Sequence, residues 1–146
     1  MQYTPFYQYF PDLASKETRS IRVFFDNEWG LPADEYGLME LFCETRDCDC
    51  RRTMLMVVSE KSQQPVAVIN FGWESRHFYE KWYGSNDKSV IADLKGPCLN
   101  IMAPKSKYAD NILALICSTA LTDADYVERI KRHYKLFKSE VKFRGK

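Results

Sequence analysis

The chain has 146 residues, 21 basic and 20 acidic side chains, 45% hydrophobic and 14% aromatic positions, the profile of a globular domain with enough apolar surface to offset the entropy of ordering. No run approaches the roughly 18 apolar residues of a membrane-spanning helix, and a net charge of +1 excludes a uniformly basic nucleic-acid binder. Nothing repeats and no linker is long enough to divide the chain. One domain over 1–146 is therefore expected, with an aromatic N-terminal arm (1–18), a sheet with a cysteine turn (19–73) and a mainly helical part (74–146).

In chain order, Tyr3, Phe6, Tyr7, Tyr9 and Phe10 stand among Pro5 and Pro11, a composition that suits an extended arm packed on the body. The N-terminus has no basic leader followed by an apolar run, so a cytoplasmic location is expected. A short strand is expected at Arg22-Val23-Phe24-Phe25, and loop residues follow at Asn27 to Pro32. Three apolar, β-branched or aromatic runs, Leu38 to Cys43, Thr53 to Ser59 and Val66 to Gly72, read as an antiparallel meander; Glu60 to Pro65 is the hairpin loop of the last two.

The hydrophobic period then changes from two to about 3.6. Phe78, Tyr79, Trp82 and Tyr83 share one side of a short helix that Gly84-Ser85-Asn86 ends. A second helix is expected from near Ser106, with Ala109, Ile112, Leu113, Ile116 and Ala120 on its apolar side. A last helix runs from about Ala124 towards Val141, after Thr122 and Asp123, and buries Tyr126, Ile130, Tyr134, Phe137 and Val141. The fold class is α+β: a small antiparallel meander of three or four strands covered by about three helices.

The chemistry concentrates between the first two clear strands, where Cys43, Cys48 and Cys50 form a Cys-x4-Cys-x-Cys spacing in one turn. A tight turn presents several thiolates to one cation at little entropic cost, and zinc takes about four sulfur or nitrogen donors in a tetrahedron. Arg46, Arg51 and Arg52 can offset the charge of a sulfur-rich site. The third strand returns to the cysteine end of the sheet, so His77, at the start of the next helix, is the first candidate for a fourth ligand. Cys98 in Gly96-Pro97-Cys98 is the alternative, while Cys117 and His133 need only a packing role. A redox-active thiol pair and plain buried cysteines remain open readings of the same residues.

The charge is unevenly placed. Eight basic and two acidic residues lie from Tyr126 onward, a segment of +6, and the remainder is −5. Lys131, Lys135, Lys138 and Lys142 share one side of the last helix, which is either a solvated face or a row that contacts nucleic-acid phosphates. A nucleophilic serine is not supported, because Ser75 and His77 are two apart on a helix and no Gly-x-Ser-x-Gly elbow is present. Phosphate loops and His-Glu-x-x-His are absent as well.

Cys-Asp-Cys-Arg-Arg (48–52), Phe-Gly-Trp-Glu-Ser (71–75) and Tyr-Val-Glu-Arg-Ile-Lys-Arg-His-Tyr (126–134) together resemble an uncharacterised bacterial protein family carrying a Cys-x4-Cys-Asp-Cys-Arg-Arg motif, over the chain from about Met39 onward. The resemblance implies no activity. The expected function is thus a bacterial, zinc-fastened binding or interaction module, more a non-enzyme than an enzyme, working with a protein partner or as a homodimer. The alternatives are a thiol-based redox enzyme or sensor and a nucleic-acid-binding accessory protein using the last helix.

Overall fold

The three apolar runs become the centre of an antiparallel sheet. In the computed structural model, which describes residues 2–145, they are β3 (Asp34–Cys43), β4 (Arg52–Ser59) and β5 (Pro65–Gly72). Met1 and Lys146, at the tips of the expected arm and basic segment, lie outside the described residues. Pairing follows hydrophobic register, with Leu38 opposite Val57 and Leu55 opposite Ile69, so that one face of the sheet is mainly apolar, with Glu40 and Thr53 as buried polar exceptions. Two further strands, β1 (Tyr3–Pro5) and β2 (Arg19–Val23), share the free edge of β3: β1 pairs with its last residues and β2 with its first. The two-residue β6 (Cys98–Leu99) lies beyond β5.

Among the described residues the sheet therefore has six strands rather than three or four, and there are six helices rather than about three. Strands of three and two residues are too short for an alternating pattern to show, which is why β1 and β6 escape a sequence reading. The expected arm is not extended beyond β1. It folds into α1 (Phe6–Tyr9) and α2 (Pro11–Glu17), and Pro11 occupies the first turn of α2, where its missing N–H is harmless. After α3 (Arg76–Tyr83), ended by left-handed Gly84 as expected, Asp87 caps α4 (Lys88–Lys95) by accepting from the N–H groups of Ser89 and Val90. The last two helices are α5 (Ala109–Ser118) and α6 (Ala124–Arg144). The expected strand at Arg22 to Phe25 stops at Val23, and Phe24 and Phe25 are exposed.

One core joins Leu38, Phe42, Leu55, Val57 and Ile69 of the sheet to Ile112 and Ile116 of α5, Ile130 and Phe137 of α6, and Phe6 of α1. All five residues of the expected α6 stripe are buried. On the alternate rows of the strands, Met39, Leu41, Met54, Met56 and Val68 are only half-buried. No helix among the described residues is long and apolar enough to cross a membrane.

Candidate metal centre

β3 ends on Cys43 and β4 begins at Arg52, so residues 44–51 must reverse the chain. A turn closed by Cys48 N–H on the Thr45 carbonyl (3.2 Å) carries Cys48 and Cys50 back over Cys43. The three Sγ atoms lie within 4.8 Å of one another. Zinc–sulfur bonds of about 2.3 Å in a tetrahedron separate sulfurs by about 3.8 Å, so a small contraction of the triad encloses an ion. Cys43 and Cys50 are fully buried and Cys48 is half-buried.

The turn is fastened from several elements. Lys138 on α6 donates from Nζ to the carbonyls of Cys43 (2.9 Å) and Thr45 (2.8 Å). Arg51 adopts a left-handed backbone (φ 48°), uncommon for a residue with a side chain, and two tyrosines hold it there: its N–H donates to Tyr134 Oη (3.2 Å) and its carbonyl accepts from Tyr79 Oη (2.7 Å). Tyr79 reaches that carbonyl across Gly72, where a Cβ would overlap the phenol ring. Asp49 accepts from Tyr134 Oη and from Arg51, whose guanidinium also lies 4.7 Å over the Phe78 ring. Behind the sulfurs, Tyr3 Oη is 4.0 Å from Cys50 Sγ and accepts from Arg52 Nη1 at 2.7 Å.

These contacts divide the thiols. A hydrogen bond from Cys50 outweighs burial, and with the Thr45 donors it brings the Cys43 thiol down to about 5. The Cys50 thiol is pushed up, first by its bond to Cys43 and then by burial; burial, then the Cys43 charge, raises Cys48. One thiolate supported by two thiols is a donor set that loses its remaining protons when a divalent cation enters.

The helix carrying His77 does begin beside the turn, since Glu74 lies 3.7 Å from the Arg51 guanidinium. His77 itself is exposed and stands outside the sulfur group. Cys98 also stands outside it, its thiol directed at the carbonyls of Ala92 (3.9 Å) and Asp93 (3.7 Å) at the end of α4. The lysine row divides in the same way. Lys131 pairs with Glu128 and Lys138 clamps the turn, while Lys135 and Lys142 are exposed beside a groove next to Cys48. Tyr3 and Lys138 are the residues that sequence reasoning missed here. They are 40 or more positions from the nearest cysteine of the triad, and no local spacing announces them.

A second buried cluster was also unforeseen. His133 is 1% exposed; its Nδ1 is 2.6 Å from Glu40 on β3 and its Nε2 2.6 Å from Glu17 on α2, with its ring stacked on Phe6. Tyr126 Oη donates to Glu40, and Arg132 binds Glu17 through both nitrogens. Burial opposes the imidazolium, but the Glu40 and Glu17 bonds and charges outweigh it and raise the His133 pKa above 6.5. Bonds from Arg132 and then His133 hold Glu17 down to about 2. The cluster ties the arm, the sheet and α6 together.

Compared with protein-family models, curated proteins and solved structures, the chain matches none.

Proposed function

We propose that Cys43, Cys48 and Cys50 hold a zinc ion and that the chain works as a cytoplasmic, metal-fastened interaction module. The observation that carries this reading is the mutual approach of three sulfurs within 4.8 Å at one end of the sheet. Soft thiolates favour zinc over magnesium or calcium, and Lys138, Arg51 and Arg52 surround the turn with positive charge. The half-buried methionine-rich row of the sheet supplies an apolar surface for a protein partner or a second copy of the chain. Elemental analysis of protein purified without added metal is expected to give close to one zinc per chain. At a hundredfold excess of free zinc over its Kd, binding adds about 2.7 kcal/mol, or roughly 5–10 °C in Tm for a domain of this size, and a chelator reverses it. Metal-free protein whose Tm responds to neither zinc nor chelator overturns the reading.

A second reading rests on the lowered Cys43 pKa. A thiolate beside Cys48 and Cys50 is the arrangement of a redox thiol group. Thiol titration separates the two: zinc protects all three sulfurs until a chelator is added, whereas a redox group reacts with mild oxidant whether or not a chelator is present.

A further inference from the structure

Three cysteines leave one corner of a zinc tetrahedron to fill, and several of the protein donors beside them are already engaged. Tyr3 Oη receives Arg52; the Asp49 oxygens receive Arg51 and Tyr134; Glu44 receives the Tyr9 hydroxyl. Asp47, His77 and Cys98 stand outside the sulfur group. Three protein ligands with an open corner is the pattern of zinc sites that bind an exchangeable ligand, in contrast to closed structural sites.

The surface beside the sulfurs indicates that ligand. Cys43 and Cys50 are fully buried, while Cys48 lines an open groove of about 430 Å³ together with Arg46, Asp47, Asp49, Lys135, Lys138 and Lys142. That volume falls within the roughly 300–1,000 Å³ of small-molecule sites. The lining charges call for an anion. A zinc trithiolate carries one negative charge and Asp47 and Asp49 add two, against four positive charges from Arg46, Lys135, Lys138 and Lys142, while Arg51 is paired with Asp49 and Glu74. One positive charge is left over, and the several cationic side chains of one small groove match the multiple acceptor oxygens of a phosphate group better than the two of a carboxylate or the single sulfur of a thiolate. Ser139, on the same groove wall, offers a hydroxyl donor.

We propose that the groove binds a phosphate group, free or carried on a small phosphomonoester, with one oxygen completing the coordination of the metal held by Cys43, Cys48 and Cys50. The proposal rests on the zinc reading above. Lys135 and Lys142 steer and hold the anion from the open side, and the bound oxygen replaces solvent at the fourth corner with no covalent chemistry.

Cobalt in place of zinc makes the coordination visible, because its d–d absorption changes when a ligand is exchanged. Inorganic phosphate and a nucleoside monophosphate, titrated separately into the cobalt-loaded full chain, are each expected to shift these bands saturably. If only one does so, the source is free phosphate or the phosphomonoester accordingly. In Lys135→Glu/Lys142→Glu the phosphate midpoint should rise roughly tenfold or more, with cobalt uptake and the phosphate-free spectrum unchanged. A cobalt spectrum insensitive to both probes, or one that shifts equally in the double variant, overturns the proposal. So does an oligonucleotide that binds α6 without altering the spectrum when neither small probe does. Failure to take up cobalt or zinc at all overturns the zinc reading together with this one, whereas uptake without a phosphate response overturns only the latter.

Discussion

His133 Nδ1 lies 2.6 Å from Glu40 Oε1 in a part of the core where both residues are at least 95% buried. The other ring nitrogen faces Glu17 at the same distance, so both nitrogens meet carboxylate oxygens and the ring serves as a double donor only when protonated. A raised His133 pKa means that this stabilisation is complete below about 6.5 and fades as pH rises through the higher folded value. The lowered Glu17 pKa works in the other direction, complete above about 4.5 and lost as pH falls towards 2. Urea midpoints measured from pH 3 to 9 are therefore expected to be highest between these limits, with the alkaline decline removed in His133→Gln. Indistinguishable alkaline limbs in the two proteins would contradict the assignment.

Breaking the pair from one side should be costly. Glu40→Gln leaves a buried imidazole between one carboxylate and an amide, and loss of a partner from a buried ion pair typically costs about 3–5 kcal/mol. Replacing both Glu40 and His133 by leucine should cost much less than Glu40→Leu and His133→Leu combined, because no buried charge is then stranded. Equilibrium unfolding of the four proteins measures this coupling, and simple additivity would count against it.

Lys138 is the only member of the lysine row that is bonded to the cysteine turn, through the Cys43 and Thr45 carbonyls. Lys138→Met is expected to destabilise the domain by about 1–3 kcal/mol and to weaken zinc binding about tenfold or more, as loss of an outer support of a metal site does. Lys131→Met removes only an exposed pair with Glu128 and should change stability by no more than about 0.5 kcal/mol. Competition against a chromophoric chelator reads the affinity; equal affinities in the two variants would remove Lys138 from the support of the site.

Gly72 has no Cβ where the Tyr79 phenol passes on its way to the Arg51 carbonyl. Gly72→Ala should cost about 1–3 kcal/mol through overpacking and loosen the turn around Cys50. The same substitution in a Tyr79→Leu background should cost less, since the ring and hydroxyl it would strike are gone. Thermal unfolding of the single and double variants provides the comparison.

The parts of this fold that could be read in the sequence are those with a long period. β3, β4 and β5 contain apolar, β-branched or aromatic runs of six or seven residues, and α6 carries five apolar residues at helical spacing, so the meander and the buried side of the helix can be read from the sequence, whereas the strand register comes from pairing. β1 and β6 are too short to carry a period, and α1 and α2 are hidden by aromatic residues and prolines that suit an extended segment equally well. The cysteine triad was legible because its three members share one turn. Its supports were not: Tyr3 reaches it by strand pairing and Lys138 by helix packing, both of which are tertiary events. His133 looked like an ordinary residue of the buried stripe, and only the convergence of Glu17 and Glu40 from two other elements gives it a charge to hold.

The eight residues between β3 and β4 touch Tyr3 at one extreme of the described chain and Lys138 at the other. A short hairpin connection would ordinarily be among the first places to open, independently of the rest. Here its full opening breaks contacts to the edge strand and to the final helix together, so its tethered amide protons, those of Glu44 on the Gln2 carbonyl and of Arg51 on the Tyr134 hydroxyl, should exchange with the slowest class, through global unfolding. An ion gripped by this turn would then leave only at the rate at which the whole domain comes apart, and metal release would serve as a clock for unfolding.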